Sequence, residues 1–207
     1  MTLVKICGIT NLSDALAAVK AGADFLGFNF YEPSPRYISP DAARHIIEQL
    51  PDQVISVGVF VNETLPKIRT IANIAKIGTL QLHGDESPAY CNELKDHNII
   101  KAFRVGNNFD PQRTLAFEVK SIMLDTSHPE LRGGTGAVFD WSIAVGVREL
   151  GMELFLAGGL SPENVAGAIK TVAPYAVDAC SSLEVRPGKK DSRKVAEFVA
   201  AVRSVKP

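Results

Sequence analysis

Apolar residues along this chain fall into short runs separated by longer segments with helical spacing. The first run, Val4-Lys5-Ile6-Cys7, is rich in β-branched residues and stops at Gly8, the pattern of a short buried strand. Asn11 stands where it caps a helix through Ala15-Leu16-Ala17-Ala18-Val19, which closes at Ala21-Gly22. The same alternation then repeats. Apolar runs at 24–30, 54–60, 79–83, 99–105, 121–125, 153–157 and 175–179 predict the remaining strands. Between them the spacing predicts helices over 40–50, 65–75, from Ser87-Pro88, loosely over 111–120, over 141–150, and from Asp191 to about Val202. A further helix is expected to open at Ser161-Pro162-Glu163-Asn164. Each Ser-Pro pair supplies a cap followed by proline in the first turn, where the missing N–H is no loss. Residues 126–140, with Gly133-Gly134-Thr135-Gly136, and residues 186–190 read as polar loops.

Strand-then-helix units of about 26 residues across the 207-residue chain fit one (β/α)8 TIM barrel, with eight parallel strands, spanning 1–207. A doubly wound open sheet is the alternative, but it normally needs five or six strands and leaves two surplus. No linker or composition break divides the chain, so one domain is expected.

Composition changes little in this picture but removes several function classes. A formal charge of -1 gives no bulk field to gather nucleic acid or an anionic membrane, so neither is expected as a partner. Three cysteines at wide spacing make neither a disulfide framework nor a zinc pattern, which favours a reducing, cytoplasmic setting. His45, His97 and His128 have no partners at ligand spacing, so no metal is expected. The N-terminus enters a strand after one lysine, without a signal core, and no run reaches the ~18 apolar residues of a membrane span.

Candidate chemistry lies at the strand ends, which converge on one mouth of a parallel barrel. Inward residues alternate along each strand, so the last inward positions are read as Cys7, His83, Asp125 and Asp178. A thiol and a carboxylate on opposite sides of one mouth suit paired proton transfer. Each has a plainer reading as well. Cys7 packs as a small apolar residue, Asp125 caps the following loop, and His83 is a satisfied rim histidine; Cys91 reads as core or surface filler. The loops Gly158-Gly159-Leu160-Ser161-Pro162 and Cys180-Ser181-Ser182 follow the seventh and eighth strands, where barrels cradle phosphate with backbone amides. Gly158, Gly159, Ser181 and Ser182 are therefore the candidate phosphate residues, against the alternative of two ordinary turns. Arg36 is a candidate fork for a carboxylate or else a solvated side chain. The glycine-rich loop 126–140 reads as a lid over bound ligand or as a surface loop.

These residues resemble the phosphoribosylanthranilate isomerase family. The resemblance is carried by Val4-Lys5-Ile6-Cys7-Gly8-Ile9-Thr10, Pro35-Arg36-Tyr37-Ile38-Ser39, Gly58-Val59-Phe60-Val61-Asn62 and Gln81-Leu82-His83-Gly84. It continues through Leu124-Asp125-Thr126, Phe139-Asp140-Trp141, Ala157-Gly158-Gly159-Leu160 and Pro187-Gly188-Lys189-Lys190-Asp191. It implies a barrel that rearranges a phosphosugar aminoaldose to an aminoketose in tryptophan biosynthesis, without a cofactor, as a monomer or homodimer. It further implies Asp125 as general acid, Cys7 as general base, Arg36 at the anthranilate, His83 and Asp178 at the substrate, and the two late loops at the phosphate. One segment departs from the family pattern: Cys180-Ser181-Ser182-Leu183 puts a second thiol near the mouth, and the Ser182 side chain is expected to crowd the phosphate loop. A barrel isomerase for a histidine-pathway aminoaldose is the rival enzyme; such enzymes resemble two half-barrel repeats with Asp in both catalytic places, unlike Cys7. A phosphate-ligand sensor on a barrel that has lost its chemistry is the non-enzymatic rival, and it needs neither an acid nor a base.

Overall fold

The structure is a computed structural model and describes residues 1–106, 108–126 and 140–205. Its strands close into one parallel barrel in chain order: β1 (Leu3–Cys7), β2 (Phe25–Asn29), β3 (Ile55–Phe60), β4 (Thr79–Leu82), β5 (Asn98–Val105), β6 (Ser121–Thr126), β7 (Glu153–Leu156) and β8 (Ala176–Ala179). β8 pairs with β1, Lys5 opposite Asp178 and Ile6 opposite Ala179, so closure leaves no barrel edge to protect. The crossovers carry α1 (Leu12–Ala21), α2 (Pro40–Ile47), α3 (Leu65–Ala75), α4 (Pro88–Asn92), α5 (Trp141–Glu149), α6 (Val165–Val172) and α7 (Ser192–Ser204).

Two apolar layers follow from the period-2 alternation of the strands. Outward residues such as Ile6, Leu26 and Leu82 pack with Ala18, Ile68 and Phe198 of the helices. Inward residues such as Phe25, Val57, Met123 and Phe155 fill the barrel, and Phe25 meets Phe155 edge to face at 5.3 Å. Helix starts follow the capping expectation: Asn11, Ser39, Ser87 and Asp191 each accept from a backbone amide of the first turn. No described helix is long and apolar enough to cross a membrane.

Several expectations are corrected. The segment 186–190 is a hairpin, not a loop: β9 (Glu184–Arg186) pairs antiparallel with β10 (Lys189–Lys190) around Gly188, whose φ of 78° permits the tight reversal. Asp14 pins this hairpin by pairing with Lys189 and accepting from the Lys190 amide. The helix expected from Ser161 starts only at Val165, because the Asn164 carboxamide oxygen accepts from the Ser161 amide and folds 161–164 into a turn. The loose helix at 111–120 is a short 3₁₀ segment, Pro111–Ala116, and α4 stops at Asn92. The proposed lid of 126–140, and His128 within it, lies almost wholly outside the described residues.

Candidate active site

Cys7 ends β1 pointing inward, two residues above Lys5, which is fully buried inside the barrel. The Lys5 ammonium pairs with Asp178 at 2.8 Å, across the seam where β8 meets β1. Both Cys7 Sγ and Lys5 Nζ lie over the bare face of Gly27, 2.7 and 3.1 Å from where a Cβ would stand. Only glycine leaves room there for the thiol and the ammonium side by side. The Cys180 thiol directed at Cys7, with the ammonium groups of Lys5 and Lys190, outweighs burial and holds the Cys7 thiol well below its ordinary range. Burial pushes Asp178 up to about 6 against the pull of Lys5. Burial works against the Lys5 charge, but Asp178 and Cys7 outweigh it and hold the ammonium above its ordinary value. The barrel floor is therefore an ion pair at neutral pH.

Asp125, near the end of β6, faces the same mouth. Its Oδ2 lies 3.3 Å from His83 Nε2, and its Oδ1 accepts from the Thr126 amide at 2.8 Å. The expected loop cap and the expected inward carboxylate are thus the same side chain, one oxygen on each task. His83 follows β4 and meets Gln81 at 2.7 Å through Nδ1. Its loop is held from below by the buried Lys101–Glu86 pair at 2.7 Å, with Glu86 also accepting from the Gly84 amide. Asp178 is the last inward residue of β8, as the sequence reading has it, and lies level with Lys5; Cys180 follows just beyond the strand, one layer higher.

Arg36 is not a free fork. Ser34 Oγ accepts from the Arg36 amide and from Asn29 Nδ2, folding the β2–α2 loop back over the barrel mouth. The Arg36 stem then crosses Gly8, and its Nε and Nη2 bind Glu184 at 2.9 and 2.7 Å. Lys190 reaches the same carboxylate at 3.1 Å. Glu184 raises Arg36, and Arg36 and Lys190 lower Glu184 despite its burial. Two cations share this anion, and Nη1 of Arg36 stays outside the Glu184 fork.

After β7, Gly158 and Gly159 both take positive φ, 86° and 70°. Gly158 sits so close to Thr126 that a Cβ would approach its amide nitrogen to 2.8 Å. Asn164 Nδ2 donates to the Gly159 carbonyl, and the Gly159 amide has no backbone acceptor among the described residues. The Ser181 and Ser182 amides, after β8, likewise have none. Ser182 does not crowd this loop; its hydroxyl donates to the Leu160 carbonyl and ties the two loops together.

A family model described as N-(5'phosphoribosyl)anthranilate (PRA) isomerase matches residues 4–201. The chain belongs to that family. A curated relative from Citrifermentans bemidjiense, N-(5'-phosphoribosyl)anthranilate isomerase, is 48% identical over 205 residues, covering 99% of this chain and 98% of its own. The crystal structure of the Thermotoga maritima phosphoribosyl anthranilate isomerase superposes with a TM-score of 0.93 at 46% identity, covering 99% of this chain and 100% of that one. Another solved family member, in complex with reduced 1-(o-carboxyphenylamino)-1-deoxyribulose 5-phosphate, matches with a TM-score of 0.88 at 44% identity and the same coverage.

Several groups around the mouth residues went unread in the sequence. Lys5 was legible, since alternation sends it inward with Cys7. Gln81 was legible in the same way, two residues before His83 on β4; Glu184 and Lys190 carry no such signal, and their places depend on the hairpin and on barrel closure.

Proposed function

We propose that this protein is a phosphoribosylanthranilate isomerase in which Asp125 is the general acid and Cys7 the general base. The observation that carries this assignment is a thiol favoured as thiolate on β1 and a histidine-held carboxylate on β6, both turned into one barrel mouth. Asp125 gives a proton to the ribose ring oxygen as the C1–O bond breaks, and the anthranilate nitrogen lone pair forms a Schiff base. The Cys7 thiolate takes the C2 proton, and the released electron pair makes the enolamine. Proton return to C1 and loss of the enol proton give the aminoketone. The Asp125 carboxyl and the Cys7 thiol thus exchange roles as donor and acceptor within one turnover. His83 holds the Asp125 carboxylate, and Asp178 lies below the sugar with its charge balanced by Lys5. No cofactor takes part in these steps. A single barrel domain for the whole chain is supported by the closure of β8 onto β1. The direct test is the disappearance of the fluorescence of freshly prepared phosphoribosylanthranilate on adding the protein; an unchanged signal overturns the reading.

The phosphate fits where the Gly159, Ser181 and Ser182 amides lack backbone acceptors on two loops stitched by Ser182. Inorganic phosphate is expected to inhibit competitively, and Gly159→Asp to raise KM through repulsion and blockage. Unchanged KM in that variant removes the phosphate from this loop.

The anthranilate carboxylate fits the Arg36 guanidinium, whose Nη1 lies outside the Glu184 fork. Arg36→Met is expected to weaken substrate binding by ~1.5–3 kcal/mol, the range for a charged hydrogen bond. An analogue lacking the carboxylate then binds parent and variant equally. A variant that still prefers the carboxylate as strongly as the parent makes Arg36 a partner of Glu184 and nothing more.

A further inference from the structure

Cys180 is a thiol at the mouth that the isomerisation above does not use. The register of β1 on β8 runs Lys5 opposite Asp178 and Ile6 opposite Ala179, so the next step sets Cys7 opposite Cys180. Neighbouring strands lie about 4.8 Å apart, within the roughly 4.4–6.8 Å Cα separation that a disulfide spans. Alternation turns both side chains inward with Lys5 and Asp178. Cys180 Sγ leans toward β1, 3.0 Å from where a Cβ of Gly8 would stand. Cys7 and Cys180 are partly exposed residues, unlike Cys91, which is buried. We propose that Cys7 and Cys180 form an oxidation site, in which a peroxide attacks at Cys7 and Cys180 resolves the product to a Cys7–Cys180 disulfide.

The chemistry balances without a bound group. The Cys7 thiolate attacks one oxygen of the peroxide, the O–O bond breaks, and the second oxygen leaves to take a proton as water or alcohol. Cys7 is then a sulfenic acid. The Cys180 sulfur attacks the Cys7 sulfur, displacing hydroxide, which takes the Cys180 proton and leaves as water. Two thiols lose two electrons and the peroxide gains them.

The surroundings suit each thiol to its step. The neighbouring Cys180 and the two ammonium groups favour Cys7 as the thiolate, the nucleophile of the first step. Cys180 is pushed well above its ordinary value by its hydrogen bond to Cys7 and by burial, with the Cys7 charge adding to them, while Lys190, at 3.8 Å, and Arg36 pull the other way. Oxidation of Cys7 removes the charge that keeps Cys180 protonated and leaves the two cations in place. The first step therefore prepares the second.

The test treats the purified protein with hydrogen peroxide near neutral pH and follows intact mass, free thiols and isomerase activity together. The expected result is loss of two hydrogens, a fall from three titratable thiols to one, and a tryptic pair joining Cys7 to Cys180. Dithiothreitol restores the mass and the thiols. Cys180→Ser is expected to lose this reversibility, with Cys7 advancing to sulfinic acid; Cys91→Ser is expected to form the bridge as the parent does. Two thiols that stay free, or a bridge that uses Cys91 or a second molecule, overturn the proposal. Mass and thiol count read the bridge whether or not the protein isomerises phosphoribosylanthranilate, so the two readings fail separately.

Discussion

Cys7→Ser is expected to lower kcat by at least ~10²-fold, the lower end of what one positioned proton-transfer group contributes. Serine keeps the size and direction of the side chain, but its hydroxyl is a far weaker base than a thiolate held beside Lys5. Asp125→Asn is expected to cost at least as much, because the amide keeps the shape and the His83 contact but has no proton to give the ring oxygen. In both variants product binding stays within a few-fold, since the phosphate and carboxylate contacts lie on other elements. The double variant loses less than the two single losses combined, because both groups serve one reaction path. The pH profile carries a further check. Activity requires the Cys7 thiolate, so it is retained as pH falls through the ordinary thiol range and is lost only through the lowered value. An acidic limb of kcat/KM that sits in the ordinary thiol range, or a Cys7→Ser variant with near-parental kcat and an intact circular dichroism spectrum, makes Cys7 a packing residue.

Lys5→Met is expected to destabilise the fold by ~3–5 kcal/mol near neutral pH, the cost of removing one partner of a buried ion pair. Methionine fills most of the space of the lysine stem, so the loss comes from the Asp178 carboxylate left inside the barrel. The pH dependence identifies that cause. Asp178 already stands at about 6 with Lys5 present, above its ordinary 3.8, and losing the ammonium raises it further. A carboxyl raised in the folded state binds a proton there that the unfolded chain releases, so stability falls as pH rises through that window. The deficit of Lys5→Met is accordingly largest well above about pH 6 and shrinks as pH falls toward that value, where the folded variant takes up a proton on Asp178. Urea unfolding across this range measures it. A deficit that does not change with pH assigns the loss to packing and not to Asp178. The same variant removes one of the two ammonium groups that favour the Cys7 thiolate, so its alkylation by iodoacetamide moves to higher pH.

The barrel itself was written in local pattern. Apolar runs of period two, Asn11, Ser39, Ser87 and Asp191 at helix starts, and Gly22 at a helix end act over a few residues, so the sequence alone set strand count, helix positions and which ends meet at the mouth. Cys7, Asp125 and Asp178 were legible for the same reason, as the last inward residues of their strands, and His83 as the next inward position past β4. The errors fall where one local rule competes with another: Ser161-Pro162 resembles a helix start, but Asn164 captures the Ser161 amide first. Only the tertiary structure decided how the charges pair. Lys5 meets Asp178 across 173 residues of chain, and Arg36 meets Glu184 across 148. Neither partner can be chosen from spacing, because closing β8 onto β1 and folding the 184–190 hairpin bring them together. The same closure places Cys180 opposite Cys7, and burial then fixes which of the mouth groups hold charge, since a charge inside the barrel persists only beside its partner.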